Sequence, residues 1–145
     1  MIGMSTTVND DIHVRNWMAE CPYVQDKYAR KNGVKLLEYG IYPSPTTPYY
    51  RENVLGELIQ DEMQDVAFVL TAKMQYLDGN AQRYSFYQNV IDWIAEQNSK
   101  HNFPHLNDGV VKAVGAQRSQ YVSEPNNNME RNEIQIRFTY RRNKD

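Results

Sequence analysis

The spacing of hydrophobic positions changes along the chain, and each change marks an element. From about Asn9 to Glu20, Ile12, Trp17 and Met18 can share one helical face while Asp10, Asp11, Arg15 and Glu20 stay in water, which predicts a short amphipathic helix. Asn9 or Asp10 can cap its start, and the acidic pair complements the helix dipole. Pro22 forces Cys21 out of helical geometry and ends the element, and the polar run from Gln25 to Gly33 reads as a loop or frayed turn. Leu36 to Tyr42 is rich in strand formers and runs into Pro43, Pro45 and Pro48. That predicts a strand leaving its sheet through an exposed proline-rich arm, about residues 43–53.

The run VAFVLTAKMQYL, Val66 to Leu77, places Val66, Phe68, Leu70, Ala72, Met74 and Tyr76 on one face, with Lys73 and Gln75 opposite near its end. It predicts a long strand, buried on both faces in its first half. After the turn Asp78-Gly79-Asn80, a helix is expected from Ala81 to Ser99 with Asn80 as its cap. Phe86, Val90 and Ile94, with Tyr87 and Ile91 beside them, form its apolar stripe, flanked by Trp93 and opposed by Gln88, Asp92, Glu96 and Lys100. Pro104 and Asn107-Asp108-Gly109 then separate it from two more strands, about Val110 to Tyr121 and Asn132 to Arg142, joined by the loop Glu124 to Asn128. The last strand alternates without a break. Ile134, Ile136, Phe138 and Tyr140 share one face, and Glu133, Gln135, Arg137, Thr139 and Arg141 share the other, as in an antiparallel sheet with one face solvated or meeting another chain.

No βαβ unit or internal repeat occurs, so the fold class is α+β. A mostly antiparallel sheet is covered on one face by the Ala81 to Ser99 helix and by the short N-terminal helix. A chain of 145 residues fits a single domain, and 41% hydrophobic against 23% charged residues is the balance of a folded chain. The formal charge of -2 disfavours duplex DNA as the main ligand. No run approaches the roughly 20 apolar residues of a membrane span, and MIGMSTTVNDD lacks the pattern of a signal peptide, so synthesis in the cytoplasm and no membrane partner are expected. Cys21 is the only cysteine, which excludes an internal disulfide.

Chemistry is sparse. No G-x-S-x-G, phosphate-cradling glycine loop, H-E-x-x-H or C-x-x-C is present, so no enzyme, cofactor or catalytic residue is expected. His101 and His105 have the spacing of helical metal ligands, but Pro104 between them breaks a helix, and no metal site is expected. His13 beside Asp10 and Asp11 could form a base with an acidic orienter, though such groups in a first helical turn are more often solvated charge. Nothing local would stabilise a Cys21 thiolate, which favours a small apolar packing role.

Charge distribution carries more. Glu52, Glu57, Asp61, Glu62 and Asp65 form an acidic run uninterrupted by lysine or arginine, whereas Arg131, Arg137, Arg141, Arg142 and Lys144 crowd the C-terminal strand. Two readings follow. These are solvated faces of one domain, facing each other across the sheet, or they are complementary surfaces of adjacent subunits that associate head to tail. On the second reading Glu57, Asp61, Glu62 and Asp65 of one subunit meet Arg137 and Arg141 of the next. Tyr42, Tyr49, Tyr50, Tyr84 and Tyr121 are not all needed by the apolar stripes, and surplus tyrosine suits an interface, with Tyr49 and Tyr50 on the proline arm foremost.

The run AFVLTAKMQYLDGNAQRYSFYQNVIDWIAEQN, followed by FPHL and later by EIQIRFTYRRN, resembles the small minor capsid or tail-terminator-like proteins encoded by siphophages and prophages of Gram-positive bacteria. The shared features are a long strand before a helix with a Phe-Tyr pair, here Phe86-Tyr87, and an acidic-Trp-Ile group, here Asp92-Trp93-Ile94. The resemblance spans about Val66 to Arg142, and Tyr39-Gly40-Ile41-Tyr42-Pro43 looks like the family's entry strand. It implies a virion structural protein at the head-proximal end of a phage tail, made in the host cytoplasm. Such a homo-oligomeric ring, commonly six-fold, stops tube polymerisation. Its implied partners are the tail tube protein and the head-completion proteins, with DNA passing transiently through the lumen. Another connector or neck protein of the head-tail junction would share the same plan. A competing class is an enzyme or small-ligand binder with a pocket between the Phe86/Val90 helix and the sheet.

Overall fold

A computed structural model describes residues 2–44, 63–77, 85–124 and 127–142, with the side chains of residues 2–9 and 63 excepted. The elements run α1 (Ile2–Met18), a 3-10 turn (Pro22–Val24), α2 (Asp26–Lys31), β1 (Val34–Pro43), β2 (Met63–Tyr76), α3 (Phe86–Lys100), β3 (Gly109–Glu124) and β4 (Met129–Arg142). The four strands form one antiparallel sheet in the order β1-β2-β4-β3. The fold is α+β, as the alternation of periods implies. The proline-rich arm beyond Ser44 and the acidic residues Glu52, Glu57, Asp61 and Glu62 lie outside the described residues.

The two long central strands carry the core because their periods match across the ladder. Phe68 lies opposite Ile136 and Leu70 opposite Ile134, and all four are buried. Helical residues at i, i+4, i+7 and i+8 complete it: Phe86, Val90, Trp93 and Ile94 of α3 are buried in the same cluster. Two hydrogen bonds join α3 to β3, from Val114 N–H to Asn98 Oδ1 (2.9 Å) and from Arg118 N–H to the Tyr87 hydroxyl (3.3 Å). The first half of β2 is enclosed on both sides, with Asp65 and Ala67 buried as well as Phe68.

Four expectations change. The first helix begins at Ile2 instead of near Asn9. Its buried stripe is Val14, Trp17 and Met18, continued by Cys21, and Ile12 is turned outward at 46% exposure. The i, i+3, i+4, i+7 set that includes Cys21 buries more side chains than one centred on Ile12, so packing rotates the helix to it. Between Gln25 and Gly33 the chain forms α2 where a loop was expected. Asp26 sits in its first turn and pairs with Arg30 (2.6 Å), Ala29 is buried, and Gly33 at φ 76° closes the end. The third helix starts at Phe86, with Ser85 in a non-helical conformation at the N-cap position, five residues after the expected Ala81. The expected cap Asn80 and the stretch 78–84 lie outside the described residues.

Candidate interaction surface

The outward face of the sheet is built from the alternate residues of β4 and their partners on β2. Register sets Thr139 opposite Asp65 and Arg137 opposite Ala67. Asp65 is fully buried, and the Thr139 hydroxyl donates to its Oδ1 at 2.8 Å while Arg137 Nη1 lies 3.9 Å from its Oδ2. Asp65 and Arg137, which the head-to-tail reading assigns to different subunits, are thus neighbours within one chain. Arg131 pairs with Glu38 across the same face at 3.3 Å. Small residues Ala113 and Gly115 of β3 leave a trough of about 390 Å³ beside Gln117, Gln135, Arg137 and Thr139.

Beyond this trough β3 keeps its ladder with β4 through Glu124, yet every residue from Gln117 to Glu124 is exposed. The Arg118 guanidinium lies between two rings there, 4.1 Å from the centre of Tyr87 and 4.6 Å from that of Tyr121. Tyr42 at 58% exposure and Tyr121 at 44% are the surplus tyrosines that the structure describes. Tyr49, Tyr50 and Tyr84 lie outside the described residues, as do Glu57, Asp61 and Glu62. Arg141, by contrast, is exposed at the end of β4. Neither it nor Arg142 forms an ion pair among the described residues.

A second concavity was not legible in the sequence, because its walls are about 70 residues apart. Pro22 and Tyr23 of the 3-10 turn face Asn89, Asp92, Trp93 and Glu96 of α3 across a groove of about 540 Å³. Asn89, Asp92 and Glu96 recur at helical spacing, so they form one face of α3. Desolvation pushes the Tyr23 phenol above its ordinary range, and Tyr28, Cys21, Glu96 and Asp92 push it in the same direction.

The remaining candidate groups tie elements together. His13 Nδ1–H donates to the His105 carbonyl (2.9 Å) and the two rings meet edge to face, while Asn107 N–H donates to Asp10 Oδ1 (2.8 Å). These bonds fasten α1 to the turn before β3. Burial holds the Asp10 carboxyl above the usual carboxylate range, against the lowering effect of the Asn107 bond. His101 takes a left-handed conformation at the end of α3 and packs on Phe103, so it and His105 face different neighbours. Cys21 is buried, and desolvation pushes its thiol from 9.0 up to about 12, the environment of a packing residue. Among the described residues no group of three His, Cys, Asp or Glu side chains is placed to hold a metal ion, and no helix is long and apolar enough to cross a membrane.

Comparison with protein-family models and with curated proteins finds no match to this chain.

Proposed function

We propose that this chain is a virion structural protein, a tail terminator that forms a ring at the head-proximal end of a phage tail tube, ends its polymerisation and joins tail to head. The observation that supports assembly is the outer strand. A strand of eight exposed residues, Gln117 to Glu124, bulged between Arg118 and Gln120, extends past what the chain's own core uses, and among the described residues no further strand lies beside β3. Such an edge is a surface for a second molecule. At the opposite side of the sheet, Leu36 N–H of β1 donates to Asp26 Oδ1 of α2, which closes part of that edge. Bonds of the same kind reach β3, where Val114 N–H and Arg118 N–H donate to Asn98 and Tyr87 of α3, so the two edges differ in the helix that flanks them, and unlike edges suit head-to-tail contacts around a ring.

Charges on the β4 face of the sheet are balanced within the chain, which suits a ring through which DNA passes without being held. Arg131 and Arg137 lie within ion-pair distance of Glu38 and Asp65, which reduces the cationic field a phosphate backbone would meet. The place at the tail end, the tail tube and head-completion partners and the six-fold ring rest on the sequence resemblance. The competing ligand pocket between α3 and the sheet has little support, because Phe86, Val90 and Ile94 fill that space as core.

Sedimentation and negative-stain microscopy of the purified chain test this reading. Rings are expected to form with concentration, and purified tail tubes are expected to stop growing when the rings are added. A monomer at every concentration and salt level would overturn it. Rings that leave tube growth unchanged would instead favour a connector elsewhere in the head-tail junction.

A further inference from the structure

We infer that the outer edge of β3, from Gln117 to Glu124, pairs antiparallel with β1, from Glu38 to Pro43, of a second copy of this chain, so that one sheet runs on from subunit to subunit. The inference rests on the ring reading and names its contact.

The register of the ladders carries it. Rows of paired residues cross the sheet, and the exposed stretches of its two edge strands fall on the same rows. Tyr39 is joined through Ala72 and Asn132 to Tyr121, Glu38 through Lys73 and Arg131 to Val122, and Tyr42 through Val69 and Gln135 to Gln117. Of the large hydrophobic side chains exposed among the described residues, Leu37, Tyr39 and Tyr42 lie on β1, Val110, Tyr121 and Val122 on β3, and Ile12 alone elsewhere. A copy set beside the first in the same orientation therefore brings exposed strand to exposed strand without sliding. Direction agrees too. Each strand is antiparallel to its neighbour in the order β1-β2-β4-β3, so β1 and β3 run in opposite senses, and β1 of the next copy lies antiparallel to β3.

The backbone groups match in phase. Along an edge strand alternate residues turn their amides into the ladder and away from it, and bonds at known positions set which. On β1, Ser44 N–H turns inward to the Ala67 carbonyl (3.0 Å), so Ile41 and Tyr39 point outward, and Pro43, which has no N–H, takes an outward place. On β3, Arg118 N–H leaves the ladder for Tyr87, and past the bulge before Gln120 the outward places fall to Tyr121 and Ser123. Tyr39 and Tyr121, on one row, thus both face outward, which is the condition for a hydrogen-bonded pair between copies. Charge continues the pattern on the outward face. Arg131 reaches Glu38 of its own chain at 3.3 Å across Lys73, and in the continued sheet Glu38 of the next copy stands on the same row across Val122. Size is complementary there as well, since β1 brings Tyr42 to the row of Gln117, two rows from the open Gly115 at the trough.

Cysteine pairing tests the seam directly. Gln117→Cys and Tyr42→Cys are made separately and mixed under mild oxidation. Both residues turn their amides inward on one row, so across the seam they form a close pair with Cα atoms about 4.5 Å apart, within disulfide range. Within one chain the two sites are three strand spacings apart, about 14 Å, and cannot join. Cys21 is buried. A disulfide-linked dimer is expected from the mixture and not from either variant alone. Separately, Val122→Glu sets like charge opposite Glu38 of the next copy and is expected to raise the concentration for half-assembly about tenfold or more, with the thermal melt unchanged. Adding Glu38→Lys to the same chain is expected to restore assembly. Rings that form without the mixed disulfide, that persist at the wild-type concentration in Val122→Glu, or that do not recover in the double variant would overturn the edge pairing and leave the ring reading standing. Should the wild type stay monomeric, the ring reading falls. A synthetic peptide of residues 36–44 titrated into the isotope-labelled monomer then decides the edge alone. Shifts at the Tyr121 and Ser123 amides support it, and unchanged signals there overturn it.

Discussion

The indole N–H of Trp17 donates to the carbonyl oxygen of Asn102 at 2.8 Å, which fixes α1 to the segment that leaves α3. The same ring lies 5.0 Å from that of Trp93 and meets Phe138 edge to face at 5.4 Å. One side chain therefore joins both long helices and the central strand β4.

Removing that side chain should unfasten all three. Trp17→Ala is expected to cost about 3 to 5 kcal/mol, since it deletes a buried aromatic and leaves a cavity. Trp17→Phe keeps a ring but loses the donor, and should cost at least about 1 kcal/mol from the hydrogen bond. Urea denaturation followed by circular dichroism measures both, and a Trp17→Phe chain as stable as the wild type would show that the N–H contributes nothing.

The buried bond between Thr139 and Asp65 makes a second prediction. Thr139→Val preserves shape but removes the hydroxyl from a carboxylate that cannot reach water, at an expected cost of about 1.5 to 3 kcal/mol. Thr139→Ser keeps the donor and should lose only about 1 kcal/mol, the value of one methyl group. Denaturant midpoints that place serine below valine would refute the assignment.

Alkaline stability should depend on Cys21. Its thiol titrates at about 12 in the fold against 9.0 ordinarily, so the native state holds its proton more tightly than the unfolded chain. The resulting stability is complete below pH 9.0 and is lost as pH rises through about 12. Cys21→Ala should therefore show a shallower decline in stability over that range than the wild type. Alkylation by iodoacetamide near neutral pH should proceed only on unfolding.

Two glycines of β3 should respond in opposite ways to the same change. A methyl group at Gly109 would run into the Arg141 carbonyl and the Tyr140 ring of the neighbouring strand, so Gly109→Ala should cost about 1 to 3 kcal/mol. At Gly115 an added methyl meets nothing within 4 Å, and Gly115→Ala should be neutral or stabilising by up to about 1 kcal/mol. Thermal melts of the two variants distinguish these outcomes.

Local periodicity was enough to find β2 through its alternation from Phe68 to Tyr76, α3 through Phe86, Val90 and Ile94, and β4 through Ile134 to Tyr140. In each, one apolar face repeats with the period of the backbone itself, so the sequence alone determined the element type and the α+β class. It did not determine which residues lie across from one another. The order β1-β2-β4-β3 sets Asp65 beside Thr139, 74 positions along the chain, and the turn at Tyr23 beside Trp93. Helix phase was decided by packing too, because Val14 and Ile12 are equally apolar and only the presence of a partner buries one and exposes the other. Short α2 depended on an ion pair and a buried alanine that no periodic stripe announces. Hydrophobic spacing is a property of a segment, whereas partners, burial and grooves belong to pairs of segments and are decided only when the chain has closed on itself.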